Sequence, residues 1–161
     1  MSAVEERVRR IRPRYLAKHR SLIERYAQFG GGAEADRHIS GRSFANVYQF
    51  YIYAFFLGLD SGKQSALSAS DQTSDFLELG KWEPRHIVDH VVISAIALSE
   101  FDMVGVEHMG EDGIATEVAK IKYCVEAFAN KGFEIVSEKE AQDPAAAGAD
   151  DFFLTLMNLA D

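Results

Sequence analysis

The sequence predicts an all-α fold, a compact helical bundle of about five to six helices around a central buried apolar helix, with a short C-terminal helix after a flexible linker. Three observations predict it. Apolar residues recur at steps of three and four along much of the chain, which lines one face of a helix. One apolar run, Phe44 to Leu59, is uninterrupted by turn signals and too long for a strand. Strict apolar–polar alternation is almost absent. With 161 residues, 47% of them hydrophobic, the chain fits a single domain able to build its own core.

Residues 3–28 read as helix, with Val4, Val8, Ile11, Tyr15, His19, Leu22 and Tyr26 on one face, where His19 reads as a packed or half-buried residue and not a ligand. Pro13 lies inside this run. It removes a backbone donor and pushes Arg12 out of helical geometry, so either two helices meet there or one helix kinks. Gly30-Gly31-Gly32 ends the segment and a polar loop follows to about Gly41. Ser43 is a plausible N-cap for the central helix, which Gly58 and Asp60-Ser61-Gly62 terminate. Residues 60–75 read as a surface loop, and Phe76, Leu77 and Leu79 as a short helical turn. Pro84 opens the next helix, running to about Phe101, with Val88, Val91, Ala95 and Leu98 inward. The clearest periodicity follows, with Ile114, Val118, Ile121, Val125 and Phe128 at steps of 4, 3, 4 and 3. That helix is expected to end at Asn130-Lys131-Gly132, with Gly132 at the left-handed C′ position and Phe133 to Val136 extended. The expected organisation is therefore a basic helical arm (1–28), a core (43–136), a linker (137–149) and a C-terminal helix (150–161) capped by Asp150 or Asp151.

Charge is unevenly spread. The formal net charge is −8, yet residues 1–28 hold eight Arg and Lys against three Glu, so the arm is basic and the body strongly acidic. A basic arm suggests contact with a polyanion or an acidic protein surface. The candidate contact residues are Arg7, Arg9, Arg10, Arg12 and Arg14. The alternative is that the arm packs on an acidic patch of its own chain or of a neighbouring subunit, and a homo-oligomer is one form of that. The single cysteine, Cys124, excludes an internal disulfide and suits a reducing compartment. The apolar run is shorter than the roughly 20 residues a membrane span needs, and no signal-peptide pattern opens the chain, so a cytoplasmic location without membrane contact is expected.

Several constellations were weighed for chemistry. Gly58 to Gln64 imitates a phosphate-binding loop, but the spacing is one residue short, Gln64 replaces the Mg²⁺-binding Ser or Thr, and a helix precedes it. His86 and His90 are four apart on a helix, and Glu83 makes a Glu-x-x-His pair with His86, so these three could face one metal ion. A second Glu-x-x-His copy is missing. His108 lies among Glu107, Glu111 and Asp112, an acidic stretch that also reads as solvated loop. Cys124 reads as a small buried hydrophobe. Gly41 to Ala45 lacks the second glycine of a nucleophile elbow, and the aromatic run reads as core, not as a base-stacking platform. No catalytic residue and no cofactor site is assigned.

Three segments together carry a resemblance. They are Gln49 to Lys63 (QFYIYAFFLGLDSGK), Ile93 to Glu100 (ISAIALSE) and Val125 to Glu134 (VEAFANKGFE). In order and spacing they resemble small helical proteins associated with bacterial DNA phosphorothioation (Dnd) defence islands, over roughly residues 44–136. Lys63-Gln64 stands where that family tends to have two basic residues, and Lys131 where a glycine is usual. The resemblance implies a setting, defence against foreign DNA, and no reaction. The function expected from it is a non-catalytic accessory protein of a DNA modification or restriction system, touching DNA through the basic arm. The alternative is a protein-interaction or self-assembly module without nucleic-acid contact.

Overall fold

The computed structural model describes residues 2–27 and 43–158. It is mostly helical, with one small two-stranded ribbon. In chain order the elements are α1 (Ala3–Arg9), β1 (Arg14–Leu16), a 3₁₀ turn (Ala17–His19), α2 (Arg20–Tyr26), α3 (Val47–Ser61), β2 (Thr73–Asp75) and a second 3₁₀ turn (Leu79–Lys81). Then come α4 (Arg85–Leu98), a third 3₁₀ turn (Gly105–His108), α5 (Glu111–Gln142), α6 (Pro144–Ala147) and α7 (Phe152–Asn158). The expected loop with Gly30-Gly31-Gly32 lies outside the described residues.

The arm is not one helix. α1 begins in a capping box, in which the Glu5 amide donates to Ser2 Oγ and the Ser2 amide to the Glu5 carboxylate. It stops at Arg9, and buried Pro13 sets the extended stretch that becomes β1. β1 pairs antiparallel with β2 in the register Arg14–Asp75, Tyr15–Ser74, Leu16–Thr73. This ribbon corrects the all-helical expectation, and it also corrects the reading of 60–75 as loop throughout. Three-residue strands are too short for alternation to appear in a sequence.

α3 is the buried helix that composition pointed to. Phe50, Tyr51, Ala54 and Phe55 are wholly inaccessible to solvent. It starts from Asn46, not Ser43, and Gly62 closes it in the left-handed conformation, φ 72°. α4 begins after Pro84 as expected, with Val88, Val91 and Ala95 buried, but it ends at Leu98, which is 52% exposed rather than inward.

α5 is 32 residues long and runs ten residues past its expected end. Gly132 is no cap. α3 and α5 cross there, backbone against backbone. A Cβ at Gly132 would sit 1.9 Å from the Ala54 carbonyl oxygen, and one at Gly58 would sit 1.9 Å from that of Phe128. Gly58 likewise lies within α3 instead of ending it. The glycines let two helices approach more closely than any side chain allows, and burial of this seam outweighs the cost of about 1 kcal/mol for glycine in a helix.

Residues 133–136, expected to be extended, are helical, and so is the first part of the expected linker. Asp143 caps α6 by accepting from the Ala146 amide (3.1 Å), with Pro144 at its first position. α7 is docked. Phe152 and Leu156 are buried, and the Tyr53 hydroxyl donates to the Phe153 carbonyl at 2.6 Å. Among the described residues no helix is long and apolar enough to cross a membrane.

Candidate functional site

The basic N-terminal segment and an apolar groove beside it are the two surfaces with the chemistry of a contact site.

The N-terminal arginines meet the acidic body of the same chain. Arg7 pairs with Glu111 (3.6 Å), Arg14 with Glu126 (2.8 Å) and Arg25 with Glu140. The three glutamates are fifteen and fourteen residues apart on α5, which at 3.6 residues per turn keeps them within about 60° of one another around the axis. One long helix thus offers an acidic stripe along which the first 25 residues are laid. Arg10 pairs locally with Glu6 at 2.6 Å.

Arg14 is the deepest of these contacts. Its guanidinium forks onto Glu126, Nε to Oε2 at 2.8 Å and an Nη to Oε1 at 3.0 Å, while its own amide also donates to Glu126 Oε2 at 2.7 Å. The Glu126 side chain is 1% exposed. Asn130, one turn on, accepts from the Leu16 amide (2.9 Å) and donates to the Glu126 carbonyl (2.8 Å), and Tyr51 donates to the Arg14 carbonyl (2.7 Å). Each buried polar atom of this cluster finds a partner, which is what keeps ions in a core tolerable. The hydrogen bond to Glu126 is the main influence raising the Arg14 guanidinium still further above its usual range. Arg14 therefore fastens β1 to α5.

Of the five candidate arginines, Arg9 and Arg12 alone make no ion pair among the described residues, and both are exposed. Arg12 and Lys122 border a shallow groove, but Glu6, Asp75 and Glu111 line the same groove and offset them.

The second surface is an apolar groove of about 890 Å³ between α1 and α4. Val4 and Val8 form one wall, Val92 and Ile96 the other, and Ile114 and Ile121 of α5 lie at the bottom. Among its lining residues Met103 is a large apolar side chain that is 61% exposed, and Val104, next to it in the chain, is 81% exposed. Single exposed apolar residues are ordinary, whereas a contiguous patch beside a groove marks a contact surface. Sequence reasoning missed it, because Val92 was read as facing the core and Met103-Val104 lay in a stretch read as acidic.

The metal candidates are not assembled. Glu83, His86 and His90 are each exposed, and among the described residues no group of three His, Cys, Asp or Glu side chains could hold a metal ion. Cys124 is buried as expected, and burial pushes its thiol up, away from the reactive thiolate. His19 is 5% exposed and packs against Phe133, with ring centroids 5.5 Å apart. Among the described residues its Nε2 has no hydrogen-bond partner. Burial, helped by Lys18 and opposed by Glu134, pulls its pKa down to about 4.

No family model, no curated protein and no solved structure matches this chain.

Proposed function

We propose that this protein is a non-catalytic interaction module, a helical-bundle scaffold that presents the α1–α4 groove to a protein partner. The exposed Met103 on the lining of an apolar groove, with exposed Val104 beside it in the chain, carries this reading. A docking face of this kind gains affinity by covering apolar surface, and a groove between two helices suits a helical element of the partner. The inert surroundings of Cys124 and the separated, solvated Glu83, His86 and His90 support a role without chemistry. The three segments that resemble Dnd-associated proteins supply a setting in which such an accessory would serve, a DNA modification or restriction system of the bacterial cytoplasm.

Direct DNA contact is the second reading. It rests on Arg9 and Arg12, which lack ion pairs among the described residues. Arg7, Arg10 and Arg14 would each have to leave a carboxylate to join them.

A photo-crosslinking residue placed at position 103 in cells tests the first reading, with position 63 in the exposed turn after α3 as the control. Crosslinks to a polypeptide from 103 and not from 63 are expected. Equal or absent crosslinking from 103 would remove the groove as a docking face.

A further inference from the structure

The groove is electrically polar along its length. One end is marked by Arg9 and Arg85, both against the turn at Leu79-Gly80: the Arg85 guanidinium donates to the Leu79 carbonyl at 3.3 Å, and a Cβ at Gly80 would lie 3.1 Å from the Arg9 carbonyl. The other end lies beyond the C-terminus of α4, where Glu107 borders the groove from the 3₁₀ turn Gly105–His108. Arg85 is answered within its own helix by Asp89 at 3.3 Å. Glu5 is engaged in the α1 capping box. Among the charged residues lining the groove that leaves Arg9 at one end, whose charge acts on exposed Glu5 without an ion pair, and Glu107 at the other.

We infer that the groove is the contact face between two copies of this chain, joined by a two-fold axis across it. This deepens the reading of the groove as a docking face and rests on it. A two-fold axis reverses the direction of the groove, so the basic end of one copy meets the acidic end of the other. Arg9 then faces Glu107 of the second copy, and the same pair forms again at the opposite end. Between the two pairs, Met103 of each copy covers the other's groove. A partner of uniformly basic or acidic character would match one end and be repelled at the other, whereas a second copy matches both. The chain's net charge of −8 opposes unspecific self-association, so pairing depends on this match.

Sedimentation velocity on the full chain over a range of concentrations tests the inference. The wild type is expected to pass from monomer to dimer. Met103→Glu, at an exposed position on the groove's lining, should weaken the dimer by at least about tenfold while circular dichroism and melting stay as in the wild type. Arg9→Glu alone and Glu107→Arg alone should each weaken it about as much at low salt, by setting like charges together twice. An equimolar mixture of these two variants should recover the dimer, because each mutant end then faces its opposite. Recovery on mixing requires that the contacts run between chains. A wild type that stays monomeric, a dimer indifferent to Met103→Glu, or charge variants that mixing does not rescue would each overturn the inference. A monomer that still crosslinks to another protein from position 103 would leave the docking face standing and remove only the second copy.

Discussion

Glu126 receives three donors from a single residue, the backbone amide, Nε and one Nη of Arg14. The two partners are not equally buried, since Arg14 is 27% exposed and Glu126 is 1% exposed. Removing the arginine strands a buried carboxylate, whereas removing the carboxylate leaves a guanidinium that can reach water. Arg14→Met is therefore expected to cost about 3–5 kcal/mol in urea unfolding, and Glu126→Gln distinctly less. Equal costs would mean that the pair is solvated. His19 gives the second prediction at this scale. Its folded pKa of about 4 lies below the ordinary value of 6.5, so the unfolded chain takes up the proton first as pH falls. The neutral-histidine contribution to stability is fully present above pH 6.5 and is lost progressively between 6.5 and about 4. Thermal melts across that window should show a fall that His19→Leu flattens. Unchanged slopes would assign acid sensitivity to other groups. The packing of His19 was legible from its place on the apolar stripe, whereas the Arg14–Glu126 fork was not. Glu126 and Asn130, four apart beside an apolar stripe, were the available signal, but nothing in the sequence says that the strand they hold comes from residue 14.

At the scale of elements, the seam between α3 and α5 decides how closely the two core helices approach. Gly58 and Gly132 each read as helix terminators, because glycine after an apolar run most often is one. Both lie inside helices, because the favourable close crossing outweighs glycine's poor propensity. Gly132→Ala is expected to destabilise by about 3 kcal/mol despite alanine's better propensity, since the added methyl meets a carbonyl oxygen and not a movable side chain. Gly62→Ala, where nothing lies within 4 Å, should cost only the strain of a positive φ. Comparable costs in chemical denaturation would contradict the close crossing. The positions of α3 and α4 and the existence of α5 could be read from periodicity, because long amphipathic or apolar runs carry that signal. The ribbon could not, since its strands are three residues each and are fixed by partners far along the chain.

Over the whole molecule, charge asymmetry is a feature of the fold more than of a ligand. The basic first segment and the acidic helix are complementary halves of one chain, with Arg7, Arg14 and Arg25 each on its own glutamate of α5. The asymmetry itself was plain in the sequence, while its internal use depended on a tertiary arrangement that composition does not encode. It bears directly on nucleic acid. With Arg9 and Arg12 as the available cations of the candidate set, any binding to duplex DNA should show a log–log salt slope no steeper than about −2. A slope near −5 in fluorescence anisotropy would mean that the paired arginines leave their carboxylates for phosphates. The face left for recognition is then the groove between α1 and α4. Amide hydrogen exchange of the full chain at dilute and at high protein concentration tests that most directly. The account predicts added protection on concentrating, confined to α1 and to the stretch from Val92 to His108. Protection that stays the same there, or that rises on another face, would contradict it.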